Sequence, residues 1–144
     1  MSVNERIPDG SLVFLDSAPV IYYVERKQPY FEQVSPFFER LDDGKLTAVS
    51  SPITLAECIF YPYKQDNLKL AAQFRALLTQ APTVRCVFTT DEIADSSARL
   101  RARYNLGFAD ALQVATAVYA GCTFFLTNDI KLKRVTELEV VVLE

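Results

Sequence analysis

The sequence has no histidine, only three cysteines in 144 residues, no surplus of positive charge and no long unbroken apolar run. Without imidazole, a Ser-His-Asp triad, a histidine general base and a histidine-ligated zinc site are excluded. Cys58, Cys86 and Cys122 form no C-x-x-C pair and sit among apolar neighbours, the setting of buried free thiols rather than of a disulfide framework. A net charge of -3 and a pI near 5.0 exclude a general nucleic-acid coat, because sequence-independent binding draws on a basic surface. Any contact with nucleic acid must be local. The most apolar stretch, Leu106 to Leu126, is interrupted by Asp110, Gln113 and Gly121, which predicts a buried helix and a strand rather than a membrane span. The segment Met1 to Gly10 lacks the apolar h-region of a signal peptide, so a cytoplasmic location is expected.

Half of the residues are hydrophobic, and the length suits one domain with its own core. The expected organisation is a polar lead over residues 1–10 and a single domain over 11–144. Short β-rich runs alternate with longer helical ones, the pattern of an α/β domain with a mostly parallel sheet. Strands are predicted near Ser11 to Leu15, Leu46 to Ser50, Thr83 to Phe88, Thr123 to Leu126 and Val140 to Leu143. Ser51 with Pro52 marks a helix start, Thr89 with Glu92 has capping-box spacing, and Asp66 is the expected cap of a helix ending near Gln80. Phe31, Val34, Phe37, Phe38 and Leu41 give the Pro29 to Asp42 stretch one apolar face. Gly107 and Gly121 bound a helix apolar on nearly every side.

Four carboxylates stand where a charge is costly. Asp16 closes Leu12-Val13-Phe14-Leu15, Glu57 follows Ile53-Thr54-Leu55-Ala56, Asp110 lies in the apolar helix, and Asp129 follows Phe124-Phe125-Leu126. Such a group must be paired, hydrogen-bonded, protonated or bound to a cation. In an open parallel sheet, ligands bind beyond the carboxyl ends of the strands, where Asp16, Asp129 and Glu57 are expected and Asp110 enters from a helix start. One or two hard, oxygen-coordinated ions, Mg²⁺ or Mn²⁺, would offset the mutual repulsion, and such an ion activates water against a phosphodiester. Each acid also has a plainer account. Asp16 and Asp129 would cap the turns that follow them, while Glu57 and Asp110 would pair with Arg99, Arg101 or Arg103.

The runs Leu15-Asp16-Ser17, Thr54-Leu55-Ala56-Glu57, Phe108-Ala109-Asp110-Ala111-Leu112 with Ala115-Thr116-Ala117, and Leu126-Thr127-Asn128-Asp129 together resemble a PIN domain of the bacterial VapC-like toxin type. The resemblance spans roughly Ser11 to Leu143, and the block from Tyr104 to Asp129 is its most specific part. It implies a three-layer α/β/α sandwich, Mg²⁺- or Mn²⁺-dependent endoribonuclease activity, homodimers, and an antitoxin that inserts peptide into the active-site groove. Asp16, Glu57 and Asp110 match the family's three principal metal-binding acids and Asp129 its more variable fourth, with Ser17, Thr127 and Asn128 in supporting positions. The ten-residue polar lead before the first strand is a departure from such toxins.

Basic residues flank this centre: Lys131, Lys133 and Arg134 follow Asp129, and Arg99, Arg101 and Arg103 precede Asp110. They are candidates for holding an RNA backbone, although arginines at a helix end also complement its dipole. Tyr22, Tyr23, Tyr61 and Tyr63 are candidates for stacking on unpaired bases or for the core edge or a dimer interface. Tyr22, Tyr23, Phe37, Phe38, Ile59, Phe60 and Tyr61 offer more apolar surface than one small sheet covers, which predicts a homodimer. Rival readings are a receiver or haloacid-phosphatase phosphoryl-transfer domain, which needs paired acids that Asp16-Ser17-Ala18 lacks, a non-toxin RNA-processing PIN nuclease, and a non-catalytic PIN-like binding module, which would have lost acids.

Overall fold

Alternation along the strands decides the layering, because successive side chains of a strand face opposite sides of the sheet. In the computed structural model, which describes residues 1–144, β1 (Leu12–Leu15), β2 (Thr47–Ser50), β3 (Val84–Cys86), β4 (Phe124–Thr127) and β5 (Glu139–Val142) form one sheet. Their order is β3-β2-β1-β4-β5 and every neighbouring pair is parallel. Val13, Leu15, Ala48, Phe124, Leu126 and Val141 enter one core, and Phe14, Val49, Phe125 and Val140 enter another on the opposite face.

The first core is covered by α1 (Val3–Arg6), α2 (Ser17–Val24), α3 (Phe31–Asp42), α4 (Pro52–Lys64) and α5 (Leu68–Arg75). A π-helical turn, Ala76–Gln80, continues α5. The second core lies under α6 (Asp91–Tyr104) and α7 (Phe108–Tyr119). Phe14 and Phe125, on adjacent strands, stack within it with centroids 5.0 Å apart, and burying each ring contributes on the order of 1.5–3 kcal/mol. The expected α/β/α sandwich is therefore observed, with a sheet that is wholly parallel.

Several local expectations shift by a residue. Asp66 does not cap α5; with φ +53° it is consumed in ending α4, and Asn67 accepts the bond from Leu70 N–H. Thr90 rather than Thr89 caps α6, accepting from Ile93 N–H. Phe37 and Phe38 belong to the core and not to an interface, both being essentially inaccessible. Tyr23 stacks on Phe38 and Tyr22 on Tyr30. Among the residues expected to need a partner, Phe60 and Tyr61 remain exposed, and Tyr63 and Leu68 lie exposed nearby in the chain. The polar lead packs on the body: Val3 and Ile7 are buried in the first core, and Arg40 holds the segment through Asn4, the Ile7 carbonyl and Asp9. No helix is long and apolar enough to cross a membrane.

Candidate active site

β2 lies on one side of β1 and β4 on the other, so strand order reverses between β1 and β4. A crevice opens beyond the carboxyl ends of strands at such a switch point. Asp16 is the first residue after β1 and caps α2, its Oδ1 accepting from Ser17 N–H at 2.9 Å. Its Oδ2 accepts a 2.6 Å bond from the hydroxyl of Thr127, the last residue of β4. The same hydroxyl oxygen accepts from Asp129 N–H at 3.1 Å. Asp129 in turn caps a 3₁₀ turn, Ile130–Arg134, through Lys131 N–H at 3.0 Å. The capping accounts of Asp16 and Asp129 are thus both realised. They leave the second role open, since a carboxylate has about four acceptor sites.

Glu57 and Asp110 come from helices. Glu57 is exposed two turns into α4, at a groove of about 470 Å³ between α2 and α4 that Ala18, Ile21, Tyr22 and Tyr61 also line. Asp110 is half-buried in the first turn of α7. That helix starts where the strands end, because it leads into β4. Neither acid has an arginine partner: the four ion pairs join Lys27 to Glu25, Arg40 to Asp9, Arg99 to Asp95 and Arg103 to Glu137. The salt-bridge account of Glu57 and Asp110 is overturned.

The electrostatics tie the acids together. Burial raises the Asp16 pKa above its ordinary value, the Thr127 and Ser17 bonds pull it down, and Asp110 and Asp129 push it up again. Glu57 is exposed as a residue, but its carboxyl is partly desolvated by its surroundings, which raises its pKa, followed by repulsion from Asp16 and Asp110, with the Ser17 hydroxyl opposing. Burial and Asp129 raise Asp110, which Lys131 opposes. Like charges that raise one another, with no cationic partner in bonding range, suit a hard divalent ion, and every available donor is oxygen. The side chains are arrayed around the crevice and do not close three at a time into a ready cage.

Of the supporting residues, Ser17 and Thr127 touch the acids, whereas Asn128 donates to the Tyr22 hydroxyl at 2.8 Å. The basic residues divide similarly. Arg99 and Arg103 are spent in ion pairs, and Arg134 bonds the carbonyls of Lys131 and Tyr104. Arg101 lines a groove between α6 and α7, and Lys133 faces a depression beside β5. Lys131 alone acts on an acid of the site. Sequence reasoning missed Gln113, which bonds Ser51 and Thr54 beneath the crevice; its only signal was an amide in an apolar helix.

A doubly wound parallel sheet with an acidic crevice at its switch point defines the class: an α/β/α protein with its candidate site beyond the carboxyl ends of the central strands. The PIN domain family profile matches residues 13–138, and the chain belongs to that family, a nuclease family. No curated protein matches the sequence. Among solved structures, VapBC2 from Rickettsia felis bound to a promoter DNA fragment is 19% identical with a TM-score of 0.68, over 91% of this chain and 98% of that one. A toxin-antitoxin complex from Klebsiella pneumoniae is 20% identical, TM-score 0.68, over 90% and 96%. The sarcin-ricin loop cleaving toxin VapC20 of Mycobacterium tuberculosis is 14% identical, TM-score 0.65, over 78% and 86%. At these identities the likeness is one of fold.

Proposed function

We propose that this protein is a Mg²⁺- or Mn²⁺-dependent endoribonuclease and the toxin of a toxin-antitoxin pair. The reading is carried by the mutual repulsion among carboxylates from four chain segments around the switch point, none of them held in an ion pair. Asp16 and Asp110 would hold the ion, with Glu57 and Asp129 completing the oxygen set. When bound, the ion lowers the pKa of water and offsets charge on the phosphate. The chain's own groups do the rest. Thr127 and Ser17 fix the Asp16 carboxylate, and Lys131 supplies positive charge beside Asp110, where a phosphate must approach an otherwise repulsive centre.

RNA as substrate and an antitoxin as partner rest on likeness to VapC20 and to the two toxin-antitoxin complexes. A homodimer rests on the exposed Phe60, Tyr61, Tyr63 and Leu68. The test is cleavage of a labelled RNA by purified protein with Mg²⁺ or Mn²⁺, with chelator, and after the metal is restored. Cleavage that stops with chelator and returns with metal supports the proposal, and cleavage indifferent to chelator refutes it.

A further inference from the structure

Gln113 is buried in a helix whose other buried residues are Ala111, Val114, Ala115, Thr116 and Ala117. Its amide is bonded at both ends. Oε1 accepts from the Ser51 hydroxyl at 2.5 Å and Nε2 donates to Thr54 Oγ1 at 2.6 Å. The Thr54 hydroxyl donates to the Leu15 carbonyl at 3.2 Å. Ser51 Oγ already accepts from Ile53 and Thr54 N–H at the start of α4, so its proton has to leave toward another acceptor, and Gln113 Oε1 is that acceptor. Turned over, the amide would offer donors to Ser51 and draw the Thr54 proton away from Leu15. One orientation satisfies the whole chain of bonds.

Three of the four members of the chain stand within a turn of a carboxylate in sequence. Gln113 is one turn after Asp110 on α7, Thr54 one turn before Glu57 on α4, and Leu15 directly before Asp16. Dispersion contacts hold helices together without fixing their sliding or rotation to fractions of an ångström, whereas buried directional bonds do. We propose that Gln113 is a positioning residue: through Ser51 and Thr54 it locks α4 and α7 against the end of β1, and so sets the spacing of Asp16, Glu57 and Asp110. This rests on the metal-site reading above.

The test is Mn²⁺ binding to the full chain, read by the electron-spin-resonance signal of free Mn²⁺, beside the thermal midpoint without metal. Gln113→Met keeps the volume and removes the bonds, and is expected to weaken Mn²⁺ about 10–100-fold, the usual effect of losing a group that orients metal ligands. Val114→Ala, which destabilises the same helix without touching the network, is expected to lower the midpoint and leave Mn²⁺ affinity unchanged. Thr54→Val should weaken Mn²⁺ as Gln113→Met does, and the double variant should be no worse than the poorer single. Should Gln113→Met fail to fold, Thr54→Val against Val114→Ala decides by the same comparison. Wild-type Mn²⁺ affinity in Gln113→Met, or an equal loss in Val114→Ala, overturns the positioning role alone. A wild-type chain that binds no Mn²⁺ overturns the metal-site reading and this inference with it.

Discussion

Replacing Asp110 by Asn should stabilise the protein without metal and cripple its response to metal. Asp110 is raised by burial and by Asp129, so its charge works against the fold at neutral pH. The first turn of α7 favours a negative charge by about 0.3–1 kcal/mol, and half-exposure screens the repulsion. The net gain for Asp110→Asn is therefore on the order of 0.5 kcal/mol. With about 2.1 cal/mol/K per residue, a chain of 144 residues gains roughly 2 °C. Mn²⁺ at 100 times its dissociation constant adds about 2.7 kcal/mol to the wild type, roughly 9 °C. A variant binding 100-fold more weakly gains about 0.4 kcal/mol under the same conditions, roughly 1 °C. The melting order should invert when Mn²⁺ is added, which differential scanning fluorimetry reads directly. The sign also sets a pH window. A carboxyl raised in the folded state leaves that state binding more protons, so its unfavourable contribution grows as pH rises from the ordinary value of 3.8 toward the raised one. The advantage of Asp110→Asn without metal should appear across that window and then level off. Equal Mn²⁺ shifts in both proteins would show that Asp110 does not hold the ion.

Thr127→Val removes the hydroxyl that bonds Asp16 and Asp129 and should cost about 1.5–3 kcal/mol by urea denaturation; a change below about 0.5 kcal/mol would show that the bond contributes nothing. Ile7→Ala empties a fully buried site in the N-terminal lead and should cost about 2–4 kcal/mol, whereas a lead loosely attached to the domain would lose almost nothing. Light scattering at micromolar concentration should give twice the 16.2 kDa chain mass; a monomer mass would remove the assembly while leaving the metal-site argument standing.

The sheet and the four acids were legible because both signals are local. Val13, Phe14 and Leu15 announce a strand buried on two faces, and a carboxylate that ends such a run has few inexpensive explanations. Caps slid by one position at Thr89 and Thr90 and at Asp66 and Asn67, where adjacent residues are chemically equivalent and only the backbone chooses between them. Val3 and Ile7 were too few to give a period, so the core role of the lead was invisible. The basic residues were only partly legible: the Asp95–Arg99 pair is a local i,i+4 spacing within α6, whereas Glu137 is brought to Arg103 by the fold. Gln113 interrupts an apolar pattern, yet its partners lie about sixty positions away, a distance no periodicity spans.

The metal-site reading requires Asp16 and Asp110 to share a divalent ion. Diffraction from crystals soaked in Mn²⁺, with anomalous scattering used to locate the metal, tests it most directly. A peak is expected at the β1–β4 switch point, bonded to oxygens of both Asp16 and Asp110. A peak elsewhere, or none in crystals whose carboxylates are ionised and accessible, would contradict it.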